Sequence, residues 1–132
     1  MTRPVSMTDP GREITETWTP SQDDFDRFAE LSGDDNPIHV DPGFSARTRF
    51  GRTVAHGMLL YSRLWAIVKR HWPDARHAGQ TLMFPAPSYA GEPLVLRVAP
   101  VPGDPRRLTV TATRQSDGEI TLQGECTLGD NR

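Results

Sequence analysis

The spacing of the hydrophobic positions changes part-way along the chain, from a helical period to a stranded one. Thr19-Pro20-Ser21-Gln22 reads as a helix start, with Thr19 capping, Pro20 in the first helical position and Gln22 where a capping box needs it. Phe25, Phe28, Ala29 and Leu31 then make one apolar stripe, set against Asp23, Asp24, Asp26, Arg27 and Glu30. Gly33 ends that helix. Residues 33–37 form a turn-rich loop, and Asp41-Pro42 opens a short second helix through Phe44 and Ala46. From His56 to His71 the chain is apolar on nearly all sides. This predicts one long helix, buried all round and stopped by Pro73.

Beyond Pro73 the period becomes two. Strands are predicted over residues 80–89, 94–101, 107–115 and 120–128, and a short one earlier, within 11–19. Leu94, Leu96 and Val98 alternate with Val95 and Arg97, and Leu108, Val110 and Ala112 alternate with three threonines. Pro85 and Pro87 mark a bulge or an edge in the first of the four. Gly103-Asp104-Pro105 and Asp117-Gly118 are hairpin turns. One long apolar helix followed by antiparallel strands predicts an α+β fold, a curved sheet wrapped around a central helix. Four or five strands wrap such a helix only partly, so a second copy extending the sheet is expected.

Size and charge narrow the function. A chain of 132 residues is one domain's worth and needs no disulfide or metal to hold it. Residues 1–10, with Pro4, Pro10 and small polar side chains, read as a flexible arm, leaving a single domain over 11–132. A net charge of −2 argues against binding nucleic acid through bulk charge. Cys126 is the single cysteine, so no disulfide forms within the chain. The N-terminus has no apolar signal core. The longest apolar stretch, residues 54–68, is interrupted by His56, Ser62 and Arg63 and is shorter than the roughly 18–20 residues of a membrane span. A cytoplasmic protein with no membrane partner is expected.

The candidate chemistry lies between Ser32 and Ser62. Asp34 and His39 are five residues apart across the Asn36-Pro37 turn. A carboxylate and an imidazole so placed can face one water and move its protons. A helix starting at His56-Gly57 offers free backbone N–H groups at a positive dipole end, and glycine there lets a substrate come close. Such donors suit a carbonyl oxygen that gains negative charge. Together these parts suggest adding or removing water next to an activated carbonyl. A metal reading through His39, Asp41 and His56 lacks the tight ligand spacing of a zinc or iron site, so neither a metal nor another cofactor is expected.

Gly33-Asp34-x-Asn36-Pro37-Ile38-His39, then Phe44-x-x-x-Thr48 and Val54-Ala55-His56-Gly57-Met58, resembles the hydratase motif of MaoC-like proteins. These are (R)-specific enoyl-CoA hydratases and dehydratases with a hot-dog fold. The resemblance implies that Asp34 and His39 are the catalytic pair, holding a water for the β-carbon of an enoyl thioester. It implies that the Gly57 N–H binds the thioester carbonyl, with Asn36, Ser62 and His56 in support. The substrate would be a thioester of coenzyme A or of an acyl carrier protein, and the protein a homodimer or a higher oligomer. Arg47, Arg49 and Arg52 are candidates for the coenzyme A phosphates, since arginine suits bidentate phosphate contact. Tyr61 and Trp65 lie where the acyl tunnel of this fold would run, and their bulk implies a preference for short acyl chains. Two other functions compete: a catalytically silent subunit that binds an acyl group or a partner, and an acyl thioesterase.

Overall fold

A computed structural model describes residues 12–129; the arm expected over residues 1–10 lies outside them. The elements run β1 (Ile14–Trp18), α1 (Gln22–Ser32), α2 (Pro37–Val40), α3 (Pro42–Ser45), α4 (Gly57–His71), β2 (Arg76–Met83), β3 (Leu94–Val101), β4 (Asp104–Arg114) and β5 (Ile120–Gly129). The strands form one antiparallel sheet in the order β1-β3-β4-β5-β2.

Alternation along the strands builds the core. Leu94, Leu96 and Val98 of β3, Leu108, Val110 and Ala112 of β4, and Leu122, Cys126 and Leu128 of β5 are buried in one cluster. Leu60, Leu64, Ile67 and Val68 of α4 close it from above. Each buried leucine, isoleucine or valine among them contributes roughly 1.5–3 kcal/mol by leaving water. The result is the expected α+β hot-dog arrangement, with the sheet curved about α4.

Four details differ from the sequence-based expectation. The N-cap of α1 is Ser21 rather than Thr19, and Asp24 completes the capping box. Residues 37–40 are not plain loop: Asn36 caps, and Pro37 starts, the single turn of α2. The 80–89 strand starts earlier, at Arg76, and stops at Met83, so Pro85 and Pro87 end it rather than bend it. The bulge in β2 lies between His77 and Gly79, and Tyr89 pairs again only with Val54. Lastly, α4 is not buried all round. One chain covers only the face that meets the sheet. Met58, Ser62, Arg63 and Ala66 are exposed, while Tyr61 and Trp65 are half-buried.

Candidate active site

The segment between α1 and α4 is fixed by backbone bonds. Gly33 takes a left-handed conformation at φ 81° and its N–H closes α1 on the Ala29 carbonyl, which turns the chain sharply into Asp34. Asn36 then caps α2 by accepting from the Ile38 N–H. That single turn carries His39 inward, where it is buried. The Val54 N–H donates to the Ile38 carbonyl at 2.9 Å, and Gln22 Nε2 donates to the His39 carbonyl at 2.8 Å. Thr53 Oγ1 donates in turn to Gln22 Oε1 at 2.6 Å. The turn is thus tied to both α1 and the strand-like residues before α4.

The protonation of His39 follows from its partner. His39 Nδ1 lies 2.8 Å from the Val54 carbonyl oxygen, which can only accept. Nδ1 therefore carries the proton, and the neutral ring presents a bare lone pair at Nε2. Nε2 lies 3.8 Å from Asp34 Oδ2, too far for a direct hydrogen bond. Two acceptors at that separation suit a water that donates one hydrogen to each, with its oxygen lone pairs facing away from both.

His56 holds this pair in place. It is 2% exposed, and its Nε2 donates to the Asp34 backbone carbonyl at 2.9 Å. Its ring stacks on His39 at a centroid distance of 3.8 Å and an interplanar angle of 22°, with Phe28 4.8 Å away on the Phe25–Phe28 side of α1. Burial, above all, lowers its pKa below the usual 6.5; the neighbouring His39 adds to this, and the hydrogen bond to Asp34 opposes it. Between the depressed folded value and about 6.5, the unfolded chain binds a proton here that the folded chain does not. Stability is then lost as pH falls below about 6.5, and the loss levels off below the folded value. The melting temperature should drop on going from about pH 7.5 to about pH 5, and should drop less in His56→Gln.

Donor atoms of Asp34, His39 and His56 all lie within 4.8 Å of one another. The geometry still suits a water better than a metal ion. Imidazole lone pairs lie in the ring plane, and two nearly parallel stacked rings do not aim at a common point. His56 Nε2 is, moreover, already a donor to Asp34. Cys126 offers no alternative nucleophile, because burial pushes its thiol up to about 11.

The pair opens on a cavity of about 590 Å³. Gly57, the first residue of α4, lines it, and its N–H has no partner within the helix. Side chains cap α1, α2 and α3, but His56 makes no such cap on α4, so these donors stay available. A Cβ on Gly57 would come within 2.7 Å of the Phe84 ring. Gly57→Ala should push the half-exposed Phe84 aside and keep a carbonyl off the amide. We expect kcat/KM to fall about 10²-fold, as for loss of an oxyanion donor, with little change in melting temperature.

The model of the MaoC like domain matches residues 4–121. The chain belongs to the MaoC-like family. It is 36% identical over 109 residues to a 3-hydroxybutyryl-CoA dehydratase of Methylorubrum extorquens, covering 80% of this chain and 69% of that protein. It is 40% identical over 97 residues to an (R)-specific enoyl-CoA hydratase of Aeromonas caviae, covering 72% of this chain and 65% of that one. The solved structure of an R-hydratase from Pseudomonas aeruginosa superposes with a TM-score of 0.84 at 28% identity, over 92% of this chain and 81% of the other.

This MaoC-like chain brings some of its expected site residues together and leaves others apart. Asp34, His39, His56, Gly57 and Arg49 line the cavity. Asn36 shapes the turn and is not among the lining residues. Ser62 donates to the Leu59 carbonyl at 2.7 Å, satisfied on its own helix. Arg52 is engaged by Glu92 and the Ala90 carbonyl, both at 2.8 Å, and Arg47 is outside the lining. Tyr61 and Trp65 are outside it too, packed against His77 one and two turns farther along α4 than Gly57. Residues 84–88, after β2, were not singled out from the sequence, yet they form one wall of the cavity. Two ordinary prolines were their only sequence signal.

Proposed function

We propose that this chain is an (R)-specific hydratase and dehydratase acting reversibly on trans-2-enoyl and 3-hydroxyacyl thioesters. The observation that carries this reading is the pairing of His39 Nε2 with Asp34 Oδ2 at 3.8 Å, beside the free N–H of Gly57. In hydration, the water oxygen bonds to the β-carbon while His39 Nε2 takes one of its protons. The electrons of the double bond move onto the thioester oxygen, which the Gly57 N–H stabilises. The α-carbon then takes the proton back from His39, on the same face. Asp34 holds the second hydrogen of the water and offsets the transient imidazolium charge. The site ends in the state in which it began.

The finer points of the reading are these. Coenzyme A or an acyl carrier protein bears the acyl group, and no further cofactor takes part. Arg49, at the cavity edge and 4.8 Å over the Phe50 ring, meets the phosphate end of the carrier. Arg49→Ala should raise KM about tenfold and leave kcat nearly unchanged, a split read from steady-state kinetics. The outer edge of β2 and the half-buried Tyr61–Trp65 face of α4 fit a second copy, giving a homodimer of twice 14.7 kDa. A reducing, cytoplasmic setting fits a chain whose single cysteine is buried and unpaired. Among the described residues, no helix is long and apolar enough to cross a membrane.

The test is crotonyl-CoA with purified protein. The expected result is loss of the conjugated thioester, formation of (R)-3-hydroxybutyryl-CoA and no free thiol. Thiol release would instead make the protein a thioesterase. No turnover of short, long or carrier-bound enoyl thioesters would make it a silent subunit.

A further inference from the structure

Phe84 differs from the buried aromatics Phe25 and Trp72. It is 46% exposed, yet it lines the cavity, as does the exposed Met58. The backbone on either side of it is held. Met83, the residue before, pairs with Gln123 at the end of β2. Three residues on, Arg114 Nη1 donates to the Pro87 carbonyl at 3.0 Å, and the Ala55 N–H donates to the Ser88 carbonyl at 2.8 Å. The short segment between these anchors delivers the ring to one place.

That place is the start of α4. Two ring carbons lie 2.7 Å from where a Cβ of Gly57 would stand. In a helix the Cβ position is tilted back toward the N-terminus, the side to which the free N–H groups also point. The ring therefore lies beside the path of a carbonyl that accepts from the Gly57 N–H. Gly57 itself is part-exposed. Partly in solvent and partly against Gly57, the ring stands at the boundary between that amide and bulk water. Water matters there, because it screens a developing charge and competes for the donor. A backbone N–H stabilises an oxyanion far better where water is excluded.

We propose that Phe84 is a further residue of the site, a shield that packs on the bound thioester and keeps water off the oxygen held by Gly57. This rests on the hydratase reading given above and adds a part to it. The ring donates no hydrogen bond and takes no proton. It acts on charge that develops in the transition state, so its loss slows the chemical step far more than it weakens ground-state binding.

The test pairs single-turnover hydration of crotonyl-CoA with calorimetric binding of butyryl-CoA, which has no double bond to hydrate. Both are measured on wild type, Phe84→Ala and Phe84→Leu. Phe84→Ala should slow the single-turnover rate about tenfold and change the dissociation constant of butyryl-CoA by less than about threefold. Phe84→Leu, which keeps an apolar side chain beside the amide, should recover most of the rate. Both variants should melt within about 2 °C of wild type, because the side chain is largely in solvent. A rate in Phe84→Ala within about twofold of wild type overturns the proposal. So does a leucine variant as slow as the alanine one, or a loss that falls on binding and not on rate, since the ring would then be a contact surface and not a shield. A melting temperature several degrees lower in Phe84→Ala also overturns it, because the ring would then hold the fold. If wild type hydrates crotonyl-CoA and Phe84→Ala matches it, only this inference fails. If wild type neither binds butyryl-CoA nor hydrates crotonyl-CoA, the hydratase reading fails as well.

Discussion

Asp34→Asn and His39→Gln should each lower kcat/KM for crotonyl-CoA by about 10³-fold while leaving the protein folded. Glutamine at position 39 can still accept a hydrogen bond but cannot take a proton, so the water is held without being activated. Asparagine at position 34 replaces a charged acceptor with a neutral amide and removes the counter-charge beside the imidazole. Stability should respond differently. The Asp34 side chain is 55% exposed, so its replacement leaves the melting temperature within a degree or two. His39 is buried and bonded to the Val54 carbonyl, so its loss costs about 1 kcal/mol. Steady-state kinetics and thermal melts on the same samples separate the two effects. Activity within tenfold of wild type in both variants would overturn the assignment of the pair.

The largest loss of stability is expected at Gly124. It sits mid-sheet on β5, opposite Val110 of β4 and Leu82 of β2. A Cβ there would lie 1.9 Å from the Thr81 carbonyl oxygen and 2.9 Å from its carbon. These are backbone atoms of the neighbouring strand, so no rotamer relieves the clash. Gly124→Ala should destabilise by about 3 kcal/mol, by forcing β2 away from β5. For a chain of this size that is a fall of about 10 °C in melting temperature. A fall under about 2 °C would mean that the strand pair yields more easily than its hydrogen-bond ladder implies.

Much of this was legible in the sequence, because the signals were local. The apolar run ended by Pro73 located α4, and strict alternation located β3 at 94–101. Asp34 and His39 were found together because the turn that joins them lies within one short segment. The misses have a common cause in long-range contacts. His56 is named in support from the motif, but its bond to the Asp34 carbonyl 22 residues away leaves no trace in the spacing. The wall at 84–88 depends on pairing with residues 54–55. Tyr61 and Trp65 are expected at the acyl tunnel because the resemblance runs it past that part of α4. They share the helical face of Gly57 but lie one and two turns farther on, beside His77 and outside the cavity lining.

The proton-handling groups come from one stretch of the chain, whereas the cavity walls come from two. Asp34, His39, His56 and Gly57 lie within 24 consecutive positions, with the His39 ring bonded to the Val54 carbonyl and the His56 ring to the Asp34 carbonyl. Phe28, Ile38, Phe50, Val54 and Leu60 line the cavity from in or beside that same stretch, and residues 84–88 and Thr121 line it from far downstream. The downstream part of the wall can therefore be substituted without replacing any residue that handles protons. A lineage, or a protein engineer, can swap wall residues to admit a new acyl group while the reaction stays the same. Grafting residues 84–88 from a relative of different taste is the economical place to begin such a redesign.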